Sequence, residues 1–102
     1  MEPLKCAVRL SAQLSRHVRA EGQANVEVIT ADAMRLAELG RLARKACEQK
    51  KSPSKHVRAA RTLAKRYGAT VIDNRDLLGC VLALKFPEGA HQSGFRNWFY
   101  VA

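Results

Sequence analysis

Arg58, Arg61 and Lys65 stand three and four residues apart. On a helix that spacing stacks three cations on one side, about one turn from each other. Lys50, Lys51, Lys55 and Arg66 flank them, and the stretch from 50 to 68, KKSPSKHVRAARTLAKRYG, holds no acid. The chemistry open to such a row is the binding of anions, phosphates above all. Ser52 precedes the helical pattern and Pro53 opens it, so the unpaired first-turn amides of the helix lie beside the lysines and favour anions in the same place. Arg44 and Lys45 extend the set from the preceding segment. The candidate polyanion- or partner-binding residues are therefore Arg44, Lys45, Lys50, Lys51, Ser52, Lys55, Arg58, Arg61, Lys65 and Arg66.

The charge balance weighs this reading against the blander one, a solvated face that keeps a protein soluble. The chain has 102 residues and a net charge of +9. Residues 41–66 contain ten basic groups and a single acid, Glu48, for a net of +9; the rest holds eight basic and eight acidic groups. All of the excess thus lies in one quarter of the sequence, a segregation that solubility does not require. A localised field of this kind attracts nucleic acid, acidic protein surfaces or anionic lipid.

Catalytic constellations are missing. His17, His56 and His91 fall in three different elements, and nothing pairs them with a nucleophile. Asp73 and Asp76 flank a turn, the commoner role for such residues. A magnesium nuclease needs a second acid shortly before a lysine, but Ala83 and Leu84 precede Lys85. No glycine-rich phosphate loop, nucleophile elbow or HExxH is present. Cys6, Cys47 and Cys80 are far apart and show no zinc spacing. They read as reduced thiols, with Cys47 and Cys80 on core faces. The expectation is a non-enzymatic protein without metal or cofactor.

The elements that must position the basic row follow from periodicity. Residues 53–67 form a helix with Val57, Ala60, Leu63, Ala64 and Tyr67 facing inward; Ser52 caps it, Pro53 takes its first turn and Gly68 ends it. Residues 31–49 form the clearest helix, capped by Thr30 or Asp32, with an apolar stripe of Leu36, Leu39, Ala43, Ala46 and Cys47. Glu38–Arg41 and Arg44–Glu48 are spaced to pair on it. Gly40 interrupts it at a cost of about 1 kcal/mol relative to Ala, which suits a close approach by another element. The short link KKSP makes these two helices an antiparallel hairpin. Residues 3–20 fit either a strand or a helix striped by Ala7, Leu10, Leu14 and Val18, with helix favoured. Residues 25–29, NVEVI, read as a short strand.

After Gly68 the pattern turns to strands over 69–73, 77–86 and 95–102, with a turn at 74–76 and a loop at 87–94. On the last strand Phe95 and Phe99 suit the core. Arg96, Trp98 and Tyr100 are left as a second candidate contact surface, for a partner or for a homodimer. The expected fold class is α+β: an antiparallel helical hairpin packed on a three-stranded antiparallel sheet, with an additional N-terminal helix or strand, in a single domain over 1–102.

The order of these pieces, with the sequence YGATVIDNRDLLGCVLAL after the helical pair, resembles small accessory proteins encoded by bacteriophages and prophages. Asp76, Gly79 and Cys80 match a D-x-x-G-C-type turn, with Leu77-Leu78 where Pro-Arg is expected. The resemblance spans roughly residues 31–102. It implies stoichiometric binding to host machinery, including inhibition of CRISPR and other defence complexes. A ribbon-helix-helix DNA binder fits less well, because the ribbon would present Asn25, Glu27 and Thr30. The functional expectation is a phage or mobile-element protein whose basic hairpin docks on a host nucleoprotein or defence complex. The alternatives are direct, sequence-independent binding of RNA or DNA, and a self-associating assembly module. No apolar run approaches the roughly 20 residues of a membrane span, and the first residues lack a signal-peptide pattern, so a cytoplasmic location in a bacterial host is expected.

Overall fold

The structure is a computed structural model that describes residues 3–15, 26–73, 82–86 and 98–101. Three helices come first: α1 (Pro3–Ser15), α2 (Val26–Glu48) and α3 (Ser54–Ala64), the last continued by a 3₁₀ turn over Lys65–Tyr67. Three short strands follow, β1 (Thr70–Asp73), β2 (Leu82–Lys85) and β3 (Trp98–Val101).

α1 settles the ambiguity of the first segment. Ala7, Leu10 and Leu14 are buried at spacings of three and four, the stripe of an amphipathic helix. Val18, the fourth member expected, lies outside the described residues. α2 begins earlier than its pattern suggested. Val26, Val28 and Ile29 carry strand propensity, yet Ile29 is buried one turn before Ala33 and so prolongs the α2 stripe. Packing of that face overrides the preference of β-branched residues. Glu27 in the first turn complements the helix dipole. The strand expected at 25–29 is therefore corrected to the first turn of α2.

The expected architecture is corrected as well. A hairpin laid on a three-stranded sheet with an N-terminal addition gives way to a predominantly helical assembly. α1 is no addition, because its packing on α2 is the most extensive between any two elements. The reason lies in the width of the α2 face. Adjacent positions Asp32-Ala33, Leu36-Ala37 and Leu39-Gly40 are all buried, so one helix has enough apolar surface for α1 and for the rest of the fold. Among the described residues the strands are four residues each; residues 77–81, 95–97 and 102 of the expected runs lie outside the described residues. The strands pair antiparallel in chain order, with Val71 opposite Leu84 and Leu82 opposite Val101. Leu82, Leu84, Phe86 and Val101 are almost fully buried against the helices.

α2 and α3 end alike. At α3, the Gly68 amide donates to the Lys65 carbonyl and the Ala69 amide to the Ala64 carbonyl, with Gly68 left-handed at φ 69°. That is a Schellman cap, and glycine is its natural residue. At α2, the Lys50 amide donates to the Cys47 carbonyl and the Lys51 amide to the Ala46 carbonyl, so the same cap is built with Lys50 at φ 58°. A lysine there carries a steric penalty of about 1 kcal/mol that glycine avoids. Lys50→Gly is expected to raise the melting temperature by about 4–8 °C, the equivalent of about 1 kcal/mol for a domain of this size. Calorimetry of the two proteins checks it; an unchanged or lower melting temperature would mean that the corner carries no strain.

Asp32 is the one buried charged residue among those described, at 7% exposure. It is not the helix cap expected from sequence, since α2 starts six residues earlier. Its carboxylate accepts a hydrogen bond from the Tyr67 hydroxyl at 2.5 Å and one from Arg66 Nη1 at 3.3 Å. Burial, and next the hydrogen bond to Asp32, push the Tyr67 hydroxyl well above the ordinary phenol value, against a smaller opposing pull from Arg66. Tyr67 thus stays a donor at physiological pH and ties the end of α3 to the middle of α2. Tyr67→Phe leaves a buried carboxylate with Arg66 alone and is expected to cost about 1–3 kcal/mol. Urea unfolding should show a lower midpoint at unchanged slope.

Candidate polyanion-binding site

α3 separates its two faces as the sequence suggests. Val57, Ala60, Ala64 and Tyr67 are buried, and Leu63 is partly buried against the core. Lys55, Arg58, Arg61 and Lys65 are exposed on the other side. Ten rises of about 1.5 Å from Lys55 to Lys65 make this row about 15 Å long. Along B-DNA one strand advances 3.4 Å per nucleotide, so the row spans about four phosphates.

The start of α3 lies one residue later than expected. Ser54 is the first helical residue and Pro53 the cap, with the Pro53 carbonyl accepting from the His56 and Val57 amides. Ser52 still serves the helix start, because its Oγ accepts from the Ser54 amide at 3.3 Å and shares a 2.8 Å hydrogen bond with Ser54 Oγ. Pro53 is buried, which seats the corner of the hairpin firmly on the core.

The expected site residues divide into two groups. Arg44 is paired with Glu48 at 3.4 Å, and Arg66 with Asp32 at 3.3 Å. Both guanidinium groups already have an anion, so neither belongs to a free cationic surface. Glu38, expected to pair with Arg41, pairs with Arg35 at 3.6 Å instead. Lys45, Lys50, Lys51, Lys55, Arg58, Arg61 and Lys65 are exposed and make no ion pair among the described residues. Lys50 owes its position to the strained cap at the end of α2.

The free cations are arranged in a row and a recess. The row is the outer side of α3. The recess, of about 370 Å³, lies where α2 meets α3. Leu42, Lys45 and Ala46 line it from one face of the last two turns of α2, and Gln49 from the residue that follows. Lys51, Ser52, Lys55 and His56 line it from the link and the first turn of α3. No acid is among its lining residues. Lys55 belongs to both features and joins them. Sequence reasoning missed the concavity and did not count His56 among the candidate residues. The spacing 42, 45, 46, 49 was the available signal, since it marks one helix face running into a two-lysine link.

The second candidate surface is only partly visible. Trp98 and Tyr100 stand opposite Lys85 and Ala83 in the β2–β3 register; their side chains and Arg96 lie outside the described residues. So do His17, His91, Asp76, Gly79 and Cys80. Cys47 is half-buried and free. Among the described residues no group of acids, histidines and cysteines is placed to hold a metal ion, and no helix is long and apolar enough to cross a membrane.

Comparisons with protein-family models, with curated proteins and with solved structures give no match to this chain.

Proposed function

We propose that this chain is a non-enzymatic binding protein whose basic hairpin docks on the phosphodiester backbone of a nucleic acid, free or within a nucleoprotein complex. The observation that carries the reading is the row Lys55, Arg58, Arg61 and Lys65, exposed along one side of α3 with no acid paired to it among the described residues. Such a row is suited to neutralising successive phosphates, contacts that fix position on a strand and carry no sequence information. Binding would be insensitive to sequence and strongly dependent on salt. Resemblance to phage accessory proteins adds the partner: a host defence or nucleoprotein complex, bound stoichiometrically.

Fluorescence anisotropy with unrelated single-stranded and duplex oligonucleotides tests the reading. The expected result is similar affinity across sequences, with log K falling linearly in log[salt]. Absence of binding at low salt would overturn it. Capture from a bacterial lysate with and without nuclease then separates partners. Recovery that survives nuclease would point to an acidic protein surface instead.

A further inference from the structure

The recess at the hairpin corner differs in kind from the row beside it. A row of cations on a convex helix meets a strand along its length, where each internal phosphodiester carries one negative charge. The recess gathers Lys45, Lys51 and Lys55 around a volume of about 370 Å³. That is near the lower end for sites that take small ligands, too small for a duplex and suited to a single nucleotide-sized group. Three lysines among the lining residues, with no acid there, bring more positive charge to the corner than one diester requires. A terminal phosphate monoester fits better, since it carries about −1.5 to −2 charge at neutral pH and three acceptor oxygens. Its second ionisation near pH 6 makes the full dianion available at physiological pH.

Other groups at the corner suit the same ligand. Gln49 and His56 supply further polar side chains, and the Lys55 amide lies in the first turn of α3, at the positive end of the helix dipole. Leu42 and Ala46 give the recess an apolar wall, against which a sugar or base edge can rest. Lys55 makes the recess continuous with the α3 row, so a strand lying on Arg58, Arg61 and Lys65 has its end at the corner.

We infer that this recess captures the terminal phosphomonoester of a nucleic-acid strand whose backbone runs along α3. The inference rests on the proposed binding of a phosphate backbone by the row. The protein is thereby a reader of strand ends, with highest affinity for a phosphorylated terminus.

The test uses three single-stranded oligonucleotides of one sequence, bearing a 5′-phosphate, a 3′-phosphate or neither, titrated by anisotropy at fixed salt. One phosphorylated form is expected to bind roughly tenfold more tightly than the unphosphorylated strand, the effect of about one additional charge-assisted hydrogen bond. Which end binds more tightly gives the polarity of the strand. Lys45→Ala with Lys51→Ala should erase the difference between phosphorylated and unphosphorylated strands, over and above any uniform weakening from the loss of two cations. Arg61→Ala with Lys65→Ala should weaken all three strands alike. Both pairs are exposed, and circular dichroism confirms that the variants stay folded. Mononucleotide 5′-phosphate and inorganic phosphate, added as competitors, should remove the advantage of the phosphorylated strand before they displace the unphosphorylated one. Equal binding of all three strands overturns the end-reading inference and leaves the row intact. Failure of every strand to bind overturns both.

Discussion

Gly40→Leu is expected to unfold or severely loosen this protein, although the substitution replaces a poor helix former with a good one. Gly40 lies in the middle of α2, where glycine costs about 1 kcal/mol relative to alanine. The penalty is kept because β3 rests on that point. A Cβ built at position 40 would stand 2.5 Å from Val101 Cγ1, 3.1 Å from the Val101 carbonyl oxygen and 3.2 Å from Val101 Cβ. Valine is stiff about χ1, and two of the three atoms belong to or adjoin the backbone, so little gives way. Overpacking of this kind costs about 1–3 kcal/mol. For alanine that repulsion is partly offset by improved helix propensity. For leucine, with three further carbons directed at the β2–β3 ladder, it is not. Gly40→Leu should lose about 3 kcal/mol or more, a fall of roughly 12–24 °C in melting temperature for a domain of this size.

A cycle isolates the cause. Gly40→Ala and Val101→Ala are each expected to destabilise, one by collision and the other by a cavity. Together they should destabilise by less than their sum, because the smaller residue at 101 admits the new methyl group. A coupling energy of about 0.5–3 kcal/mol is the usual range for residues in contact. Strict additivity in urea unfolding would show that β3 does not rest on Gly40.

The residues that proved legible in the sequence are those with local causes. The α3 faces follow from periodicity alone, and four of five predicted inward residues are buried. Gly68 ends its helix because only a left-handed residue completes the cap. Even the close approach at Gly40 was open to anticipation, since a glycine in a strong helix needs a packing reason. Elements set by tertiary partners were misread. Val26-Glu27-Val28-Ile29 has strand propensity, and only the core seat of Ile29 makes it helical. Asp32 reads as a cap until its position on the apolar stripe is noticed: it stands one turn before Leu36, so a buried carboxylate needed a donor, and Tyr67 lies 35 residues away. The helices were given too small a share because the width of the α2 face, which lets α1 pack on it, shows only in the fold. Within the site, charge was legible and commitment was not. Nothing in the sequence separates Arg66, bound to Asp32, from Lys65, which makes no ion pair among the described residues.

That distinction sets the second large effect. Arg58→Ala, Arg61→Ala and Lys65→Ala in one protein should reduce affinity for a phosphate backbone by about a hundredfold near physiological salt. The figure follows from counterion release: each phosphate neutralised contributes about 0.9 to the slope of log K against log[salt]. Removing three contacts therefore lowers the slope by about 2.7, which at 0.15 M corresponds to roughly two decades in affinity. Stability should hardly change, since all three side chains are exposed and make no ion pair among the described residues. Arg44→Ala supplies the control. It removes one positive charge as well, but from a guanidinium already facing Glu48 at 3.4 Å, so its slope should fall by well under one unit. If the triple variant and Arg44→Ala lose affinity only in proportion to total charge, the protein attracts polyanions by its overall field and α3 is not a docking face. If the triple variant alone flattens the salt dependence, the contacts are local and lie on the row.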